Sequence, residues 1–521
     1  MADGLQAARL ALADRRAWLV GGAIRDRKLG RSTLDLDVVV DGDPGEAARS
    51  IARAAGRAAC FALSEEFGAW RVAARDSSWQ VDVEPLRGGS LEADLALRDF
   101  TVNAIAEPLA GGQPIDPLGG LEDLAAGRLR MAGARAFADD PLRVLRLVRV
   151  AVELGLKPDA ETLRAAGEHV DALALCSAER VFVELRRIVA ARDALSGLQL
   201  MGELGASAVV LPELEALRGV EQNRFHHADV YTHTLEVLAR TIALTEEALA
   251  GGGRALPVDG GGSRGPGGSH GAASSRDSGS STSAGSPPGA DADTSAFRAV
   301  IGEDRAELAA VLEEPLADQM SRAEALRWGA LLHDAAKPLT RGVRPADGRV
   351  TFIGHDERGA ALAREVLTRL RASERLRAHV AALVRHHLRL GFLVHEPQPL
   401  SRRTVFGYLR ACTPVEVDVT LLSVADRLAT RGANAQQAIE AHIRVAAQVL
   451  APALHWRAHG PGEPLLRGDE LGSHLGIAPG PRVGELLGEL AEAQYAGEIE
   501  TREQAFDYLD ARAAELAGRS E

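Results

Sequence analysis

The sequence predicts an α+β protein in which a small mixed α/β domain is followed by mostly α-helical domains. Its 521 residues are too many for one hydrophobic core, so several domains are expected. Short apolar runs alternate with helical stretches up to about residue 135, which is typical of a mixed α/β domain. Beyond that point apolar residues recur at helical spacing, and aromatic residues make up only 4% of the chain, which favours helices.

Four regions follow from these patterns. We predict a mixed α/β head over residues 1–135, a helical neck over 136–217, a histidine-rich helical domain over 218–456 and a helical tail over 457–521. Residues 251–295 are rich in Gly and Ser and poor in apolar side chains, so we predict a disordered insertion within the third region. One domain can continue on both sides of it, because closure entropy grows slowly with loop length.

Composition restricts the cellular setting and the partners. The three cysteines form no CxxC pair, which argues against a zinc ribbon or a disulfide framework and favours reducing cytoplasm. No apolar run is long enough to span a bilayer, so no membrane partner is predicted. With a net charge of −13, nucleic acid contacts require a local basic stripe such as Arg143, Arg146 and Arg149. The oligomeric state is not indicated.

Two aspartates lie on a predicted strand of the head. Asp35 and Asp37 are two residues apart in LDLDVVV, so their side chains project from the same face. Such carboxylates repel each other unless a cation lies between them, and Mg²⁺ combines one or two protein carboxylates with phosphate oxygens and water. Upstream, Gly21 and Gly22 allow backbone N–H groups to approach a phosphate, and Arg25 adds donors. The pattern predicts a site for a magnesium-bound nucleotide.

Five motifs in a fixed order resemble those of the class II nucleotidyltransferases, the family of bacterial CCA-adding enzymes and poly(A) polymerases. They are GGAIRD with DLDVVV, RDFTVNA, IDPLGG, DDPLRVLR and the segment that begins SAER, and they extend over residues 18–184. The resemblance implies an enzyme that transfers CMP or AMP from CTP or ATP to the 3′ hydroxyl of an RNA. The expected partners are therefore CTP, ATP and the 3′ end of a tRNA.

The resemblance also implies roles for individual residues. Asp35 and Asp37 would hold catalytic Mg²⁺, and Asp82 would be the third catalytic carboxylate. Asp140 and Arg143 would read the base edge, because an Asp offers acceptors and an Arg offers donors, as a Watson–Crick partner does. The full set of residues expected to bind the nucleotide is Gly21, Gly22, Arg25, Arg98, Asp140, Arg143 and Arg146.

Two departures from the family pattern bear on specificity. Asp139 stands where the family usually has Glu. Only GGSLEADLAL separates Arg87 from Arg98, where many CCA-adding members have a longer flexible loop. Absence of that loop is associated with relatives that add only the two C residues. Addition of CC, of A alone and of CCA all stay open on the sequence.

A second resemblance rests on four residues of the histidine-rich region. His233, the adjacent pair His333 and Asp334, and Asp426 occur on predicted helices in the order H, HD, D. Histidine and aspartate side chains from several helices can together surround a divalent ion. The order is similar to the signature of the HD superfamily of metal-dependent phosphohydrolases.

Further residues extend this second resemblance. Lys337 follows the HD pair, as a lysine commonly does in that superfamily. Members with two metals carry extra ligands at the positions of His355, His386 and His387. The resemblance implies a divalent transition metal such as Ni²⁺, Mn²⁺ or Co²⁺, and phosphatase or 2′,3′-cyclic phosphodiesterase activity.

Two other functions compete with a tRNA nucleotidyltransferase. A poly(A) polymerase shares all five motifs, but members of that kind usually have a basic C-terminal extension, and the tail REQAFDYLDARAAELAGRSE is not basic. An HD phosphohydrolase with a non-catalytic, RNA-binding head would have no need of both Asp35 and Asp37. The segment LLRGDELGSHLGIAPGPRVGELL resembles the tail of tRNA-specific members, which favours tRNA.

Overall fold

The computed structural model describes residues 4–56, 58–64, 68–222, 228–250, 290–431 and 435–518. These residues form two compact units, one up to Pro212 and one from Glu213. The predicted α+β class is confirmed, with a small mixed sheet in the head and helices over most of the remaining chain. The finer partition into four domains stays a prediction. None of the described helices is long and apolar enough to cross a membrane.

The head is built on a six-stranded sheet with the strand order β3-β4-β5-β2-β1-β6. Strands β2 and β5 run parallel, and the other neighbouring pairs are antiparallel. The strands are β1 (Ala17–Val20), β2 (Asp35–Val40), β3 (Ala59–Ser64), β4 (Ala69–Ala73), β5 (Gln80–Pro85) and β6 (Ala106–Pro108). A short parallel pair, β7 (Arg128–Leu129) and β8 (Lys157–Pro158), follows in the same unit.

The helices of the first unit surround this sheet and continue into the neck. They are α1 (Gly4–Ala11), α2 (Gly22–Lys28), α3 (Pro44–Ala54), α4 (Leu91–Ala96), α5 (Gly120–Ala125), α6 (Ala136–Asp139), α7 (Arg143–Leu154), α8 (Ala160–Glu168), α9 (Ala178–Ala190), α10 (Ala194–Glu203) and α11 (Ala206–Val210). In the neck, α7, α9 and α10 pack against one another.

The two faces of the head sheet differ in chemistry. Helices α1 and α3 cover one face, where Val38 and Val40 of β2 join the main head core. Val39 points the other way and belongs to a smaller cluster. Because side chains alternate along a strand, Asp35 and Asp37 share the face of Val39. The polar residues of β2 therefore lie opposite the face that α1 and α3 cover.

The second unit is almost entirely helical. Its helices are α12 (Pro212–Glu215), α13 (Val230–Leu249), α14 (Ala290–Ile301), α15 (Arg305–Glu313), α16 (Arg322–Leu332), α17 (Lys337–Thr340), α18 (His355–Arg369), α19 (Glu374–His386), α20 (Arg389–Phe392), α21 (Arg402–Cys412), α22 (Glu416–Ala429), α23 (Ala435–His459), α24 (Gly468–Leu475), α25 (Pro481–Ala496) and α26 (Arg502–Gly518). The short hairpins are β9 (Pro315–Ala317) with β10 (Met320–Ser321), and β11 (Gly342–Val343) with β12 (Val350–Thr351).

Helix α22 forms the centre of the second unit. Of its 14 residues, 12 are buried, because α13, α16, α19 and α23 all pack against it. A helix covered on every side is fixed in position and rotation, so a polar side chain on it is held firmly. Further along the chain, α24, α25 and α26 share a separate small core.

The border of the predicted insertion requires a correction. Residues 251–289 of the expected segment 251–295 lie outside the described residues, but residues 290–295 form the start of α14. Asp293 gives the physical reason, since its carboxylate pairs with Arg431 at 2.6 Å and with Arg240 at 3.3 Å. These contacts fix the first turns of α14 to the second unit.

Candidate functional site

The polar face of the head sheet opens into a cleft of about 510 Å³. The register of the parallel pair β2 and β5 places Asp82 opposite Asp37, so the third predicted carboxylate lies beside the first two. Every residue predicted for nucleotide transfer lines this cleft, namely Gly21, Gly22, Arg25, Asp35, Asp37, Asp82, Arg98, Asp140, Arg143 and Arg146. The catalytic role of each of these residues stays a prediction.

Asp37 has a strongly perturbed carboxyl group in this cleft. Burial raises its pKa to about 6, and the neighbouring carboxylates of Glu84 and Asp82 act in the same direction, against the charge of Arg98. A pKa raised mainly by burial means that the negative charge of Asp37 is held at unfavourable cost. Oxygen donors that lie side by side suit Mg²⁺, whose charge would offset this cost, so the residues present fit the implied metal.

Gly21 lies beside the charged side chains of Asp37 and Arg98. It has a φ of 75°, and a Cβ added there would lie 3.2 Å from Arg98 Nη1 and 3.3 Å from Asp37 Oδ2. Glycine therefore allows the turn and leaves the acid and the arginine accessible. Nearby, Arg25 donates to Asn103 Oδ1, so the first and second motifs are joined by a direct hydrogen bond.

Arg143, the predicted base reader, is fixed by the main chain. Its Nη2 donates to the carbonyl oxygen of Leu97 at 2.8 Å. Its Nη1 donates to the carbonyls of Ala136 at 3.1 Å and Arg98 at 3.3 Å. Three acceptors in fixed positions hold the planar guanidinium in one orientation.

The fifth motif holds the other predicted base reader. Arg180 at the start of α9 pairs with Asp140 at 2.7 Å, so the fifth motif positions the acid of the fourth. Arg146 lies between Asp99, at 3.5 Å, and Glu184, at 3.8 Å. These carboxylates fix the second arginine of the fourth motif at the edge of the cleft.

Five helices of the second unit, α13, α16, α18, α19 and α22, bring the histidines and aspartates together. His233 Nε2 lies 3.0 Å from Asp426 Oδ1, and His355 Nε2 lies 3.4 Å from Asp334 Oδ1. The ligand atoms of each of two groups lie within 4.8 Å of one another. The first group is His233, His333 and Asp426, and the second is Asp334, His355 and His387.

The carboxylates of this cluster are electrostatically unlike Asp37. Although burial alone would raise the pKa of Asp334, the adjacent His333 and Lys337 charges hold it well below its usual range. Burial lowers the pKa of His387 to about 4, and the His333 and His355 charges act in the same direction. A neutral imidazole beside an ionised carboxylate is a good ligand pair for a divalent transition metal.

The cluster opens into a second cavity, of about 600 Å³. Among its lining residues, Ile353 is 85% exposed and Phe392 is 64% exposed, which is high for large apolar side chains. The cationic residues that line the cavity are Lys337, Arg344, Arg349 and Arg427. This lining is complementary to an anion that carries an apolar group.

Three segments of the chain match known domain families. Residues 17–130 match the poly A polymerase head domain, residues 155–217 match the probable RNA and SrmB-binding site of polymerase A, and residues 306–431 match the HD domain. The A-adding tRNA nucleotidyltransferase of Deinococcus radiodurans is 33% identical over 507 residues, which cover 96% of both proteins. The chain belongs to the tRNA nucleotidyltransferase family.

Other relatives of this nucleotidyltransferase agree with that assignment. The CC-adding tRNA nucleotidyltransferase of Thermus thermophilus is 32% identical over 498 residues, covering 95% of this chain and 93% of that protein. The structure of the Thermotoga maritima CCA-adding enzyme complexed with tRNA is similar at a TM-score of 0.55 and 18% identity, covering 97% of this chain and 94% of that one. The structural likeness confirms the fold.

Sequence patterns missed an arginine in the head cleft of the nucleotidyltransferase. Arg71 on β4 donates from Nε and Nη2 to the two carboxylate oxygens of Asp82, each at 2.7 Å. The two residues are cross-strand partners in the β4–β5 pair. The available signal was an arginine between apolar neighbours in AWRVA, but its partner depends on the order of the strands.

The third motif supports the nucleotidyltransferase site without lining the cleft. Asp116 accepts hydrogen bonds from the N–H groups of Gly120 at 2.7 Å and Leu121 at 2.8 Å, which fixes the start of α5. A Cβ on Gly120 would lie 2.0 Å from the carbonyl oxygen of Thr101 in the second motif. The IDPLGG motif therefore packs against the main chain of the second motif and stabilises its position without lining the cleft.

One expected metal ligand of the nucleotidyltransferase lies outside both ligand groups. His386 Nδ1 accepts a hydrogen bond from Arg389 Nε at 2.8 Å, whereas His387 belongs to the second group. Successive residues at a helix end differ in direction by about 100°, so only one of two adjacent histidines faces the cluster.

Proposed function

We propose that this nucleotidyltransferase adds C residues, and not A, to the 3′ end of tRNA from CTP in the presence of Mg²⁺. One of the two relatives described above is named A-adding and the other CC-adding, so their names do not decide between the bases. Two observations support C: the segment between Arg87 and Arg98 is short, as in relatives that add only C, and Arg143 is anchored on three backbone carbonyls, which fixes one orientation.

The segment that supplies two of those carbonyls is compact. Ser90 caps α4 by accepting from the N–H of Ala93 at 3.2 Å. The fully buried Asp94 accepts from the N–H of Arg87 at 3.1 Å and pairs with Arg98 at 3.3 Å. These contacts restrict movement of the main chain in this short segment, so the carbonyls of Leu97 and Arg98 stay in place. The guanidinium of Arg143 therefore keeps one orientation.

The fixed guanidinium of Arg143 has few donors left for a base. In Arg143, three of the five guanidinium N–H groups donate to carbonyls, and the Nε–H is buried without a partner among the described residues. One N–H group is therefore left to donate to a base. Cytosine presents two adjacent acceptors, N3 and O2, beside its N4 amino donor, whereas adenine presents the single acceptor N1 beside its N6 amino group. One donor from Arg143 and an acceptor from Asp140 can pair with N3 and N4 of cytosine or with N1 and N6 of adenine. The choice of C therefore rests on the short segment between Arg87 and Arg98, because absence of the longer loop is associated with relatives that add only the two C residues.

The remaining residues of the cleft supply charge and position. Asp35, Asp37 and Asp82 would hold Mg²⁺, which would lower the pKa of the RNA 3′ hydroxyl and neutralise the leaving pyrophosphate. Arg25 and Arg98 lie beside Gly21 and Gly22 and would bind the triphosphate oxygens. Attack of the 3′ hydroxyl in line with the leaving group then requires no covalent intermediate.

Primer extension tests this proposal. Purified protein and Mg²⁺ are given tRNA transcripts that end at the discriminator base, at C or at CC, with CTP alone, ATP alone or both. We expect CTP to extend the first two transcripts to CC and ATP to extend none. Addition of A to the CC transcript would contradict C-only specificity, and long A tails on unstructured RNA would indicate a poly(A) polymerase. No incorporation on any transcript would leave only the HD site as a catalytic centre.

We also propose that the HD cluster is a two-metal phosphohydrolase centre for nucleotide-type phosphate esters, including 2′,3′-cyclic phosphates. The support is geometric, since two groups of three ligands adjoin a cavity that is lined by four cationic side chains and by the exposed apolar side chains of Ile353 and Phe392. Ni²⁺, Mn²⁺ and Co²⁺ are the metals to test on a 2′,3′-cyclic nucleotide. Loss of hydrolysis in Asp334→Asn, but not in Asp37→Ala, is the expected result, and no hydrolysis with any of these metals would contradict the proposal.

The cytoplasm is the location that we propose for both reactions. Cys60, Cys176 and Cys412 are all free thiols in the structure, which suits a reducing compartment. Localisation of a tagged full-length chain by cell fractionation tests this assignment.

A further inference from the structure

The cleft of the head contains an exposed apolar side chain that binding of metal and triphosphate does not explain. Apart from glycines, the described lining is polar or charged except for Ala23 and Leu97. Ala23 is only 5% exposed, whereas Leu97 is 43% exposed. A leucine that presents apolar surface to a cleft lined by charges gains free energy only when a ligand covers it.

Leu97 is held in a fixed position beside the predicted base reader. It follows the last residue of α4, and its N–H donates to the carbonyl of Asp94 at 3.1 Å. Its own carbonyl accepts from Arg143 Nη2 at 2.8 Å. The residue that anchors the arginine through its main chain thus presents its side chain to the same cleft.

We propose that the side chain of Leu97 packs against the face of the incoming cytosine base while Arg143 and Asp140 bind its edge. A base that is recognised by hydrogen bonds along its edge still has two flat faces to remove from water. In this cleft, Leu97 is the exposed apolar side chain that borders the edge-reading arginine. Leu97 is then a further residue that binds the base of the nucleotide, and this inference rests on the proposed CTP-dependent reaction.

Equilibrium binding to the full chain tests the inference with two ligands. CTP has the base, and ribose 5-triphosphate lacks it. We expect Leu97→Ala to weaken CTP binding roughly fivefold to tenfold and to leave ribose 5-triphosphate binding unchanged. Leu97→Met restores most of the CTP affinity, because it retains the apolar volume. In steady state the KM for CTP rises while kcat changes less than about twofold.

Leu10→Ala is the matched control. Leu10 lies on α1 of the same unit, is 67% exposed and does not line the cleft, so its truncation leaves both affinities unchanged. Three outcomes would overturn the inference: unchanged CTP affinity in Leu97→Ala, an equal loss for both ligands, or a change confined to the KM for tRNA. The last would mean that Leu97 touches the primer. A wild-type chain that binds CTP but incorporates no CMP would instead refute the proposed function.

Discussion

The head cleft and the HD cluster both depend on aspartates, but the two regions treat carboxylate charge in opposite ways. In the head, burial and the facing carboxylates of Glu84 and Asp82 raise the pKa of Asp37 to about 6. In the HD cluster, the charges of His333 and Lys337 overcome burial and hold the pKa of Asp334 well below its usual range. The same residue type is strained as an anion in one site and stabilised as an anion in the other.

This difference indicates how each site handles its metal. A buried carboxylate whose charge is unfavourable is stabilised by a hard cation that arrives and leaves with the nucleotide. A cluster with imidazole donors and already ionised carboxylates favours a transition metal that stays bound between turnovers. We therefore expect exchangeable Mg²⁺ in the head and a resident metal in the HD cluster.

The largest expected effect separates the two activities. Asp37→Ala should lower CMP incorporation roughly 10³-fold or more, since it removes a carboxylate at the reacting centre, and should leave HD hydrolysis unchanged. Asp334→Ala should have the reverse effect. Both rates are measured on the same preparations with labelled CTP and a 2′,3′-cyclic nucleotide. Loss of both rates in either variant would contradict the conclusion that the two sites act independently.

Metal content sharpens the comparison, with two adjacent histidines as a matched pair. After incubation with Ni²⁺ and desalting, His387→Ala should retain markedly less metal than the wild type, because it removes a member of the second ligand group. His386→Ala should retain the wild-type amount, since His386 contacts Arg389 instead. Elemental analysis gives the ratio of metal to chain. Equal loss in the two variants would show that the assignment of the ligand is wrong.

Much of both sites could be predicted from the sequence because side-chain chemistry repeats in readable patterns. Because side chains alternate along a strand, Asp35 and Asp37 could be predicted to share one face. The order H, HD, D indicated His233 and Asp426 as metal ligands. Arg71 could not be predicted as the partner of Asp82, because that contact exists only once β4 pairs with β5. Strand order is a long-range property that no local spacing encodes.

Two other features escaped prediction for different physical reasons. The anchor of Arg143 consists of backbone carbonyls, and every residue has a carbonyl, so no residue type marks the ones that are used. The choice between His386 and His387 depends on the direction of each side chain at the end of α19, where one residue changes the direction by about 100°. Periodicity predicts helices better than it predicts which side of a helix end faces a ligand.

A smaller effect concerns stability and its dependence on pH. The pKa of Asp37 in the folded chain, about 6, exceeds the ordinary value of 3.8, so the ionised group destabilises the fold and this penalty grows as pH rises through both values. In metal-free buffer, Asp37→Asn should therefore stabilise the protein, and the gain in unfolding free energy should increase by roughly 1 kcal/mol between pH 5 and pH 8. Denaturant unfolding measures it. A gain that does not vary with pH would contradict the raised pKa.

The smallest effect is expected from the segment between α13 and α14. Replacing residues 251–289 with a short Gly-Ser linker should change both activities less than about twofold. The flanking helices are held independently, since Arg305 pairs with Glu247 at 2.8 Å and Arg431 pairs with Asp293 at 2.6 Å. CMP incorporation and hydrolysis are compared with those of the intact chain. Selective loss of one activity would tie this segment to that site.

The carbonyl anchor of Arg143 has a consequence for how the orientation of its guanidinium can change over generations. No amino-acid replacement deletes a carbonyl oxygen, so drift in the side chains around Leu97 and Arg98 leaves those two acceptors in existence. Only a shift in the path of the main chain moves them, and adding or removing residues between Arg87 and Arg98 is the direct way to cause one. The orientation of Arg143 is therefore insensitive to side-chain replacements in this segment and sensitive to insertions and deletions there.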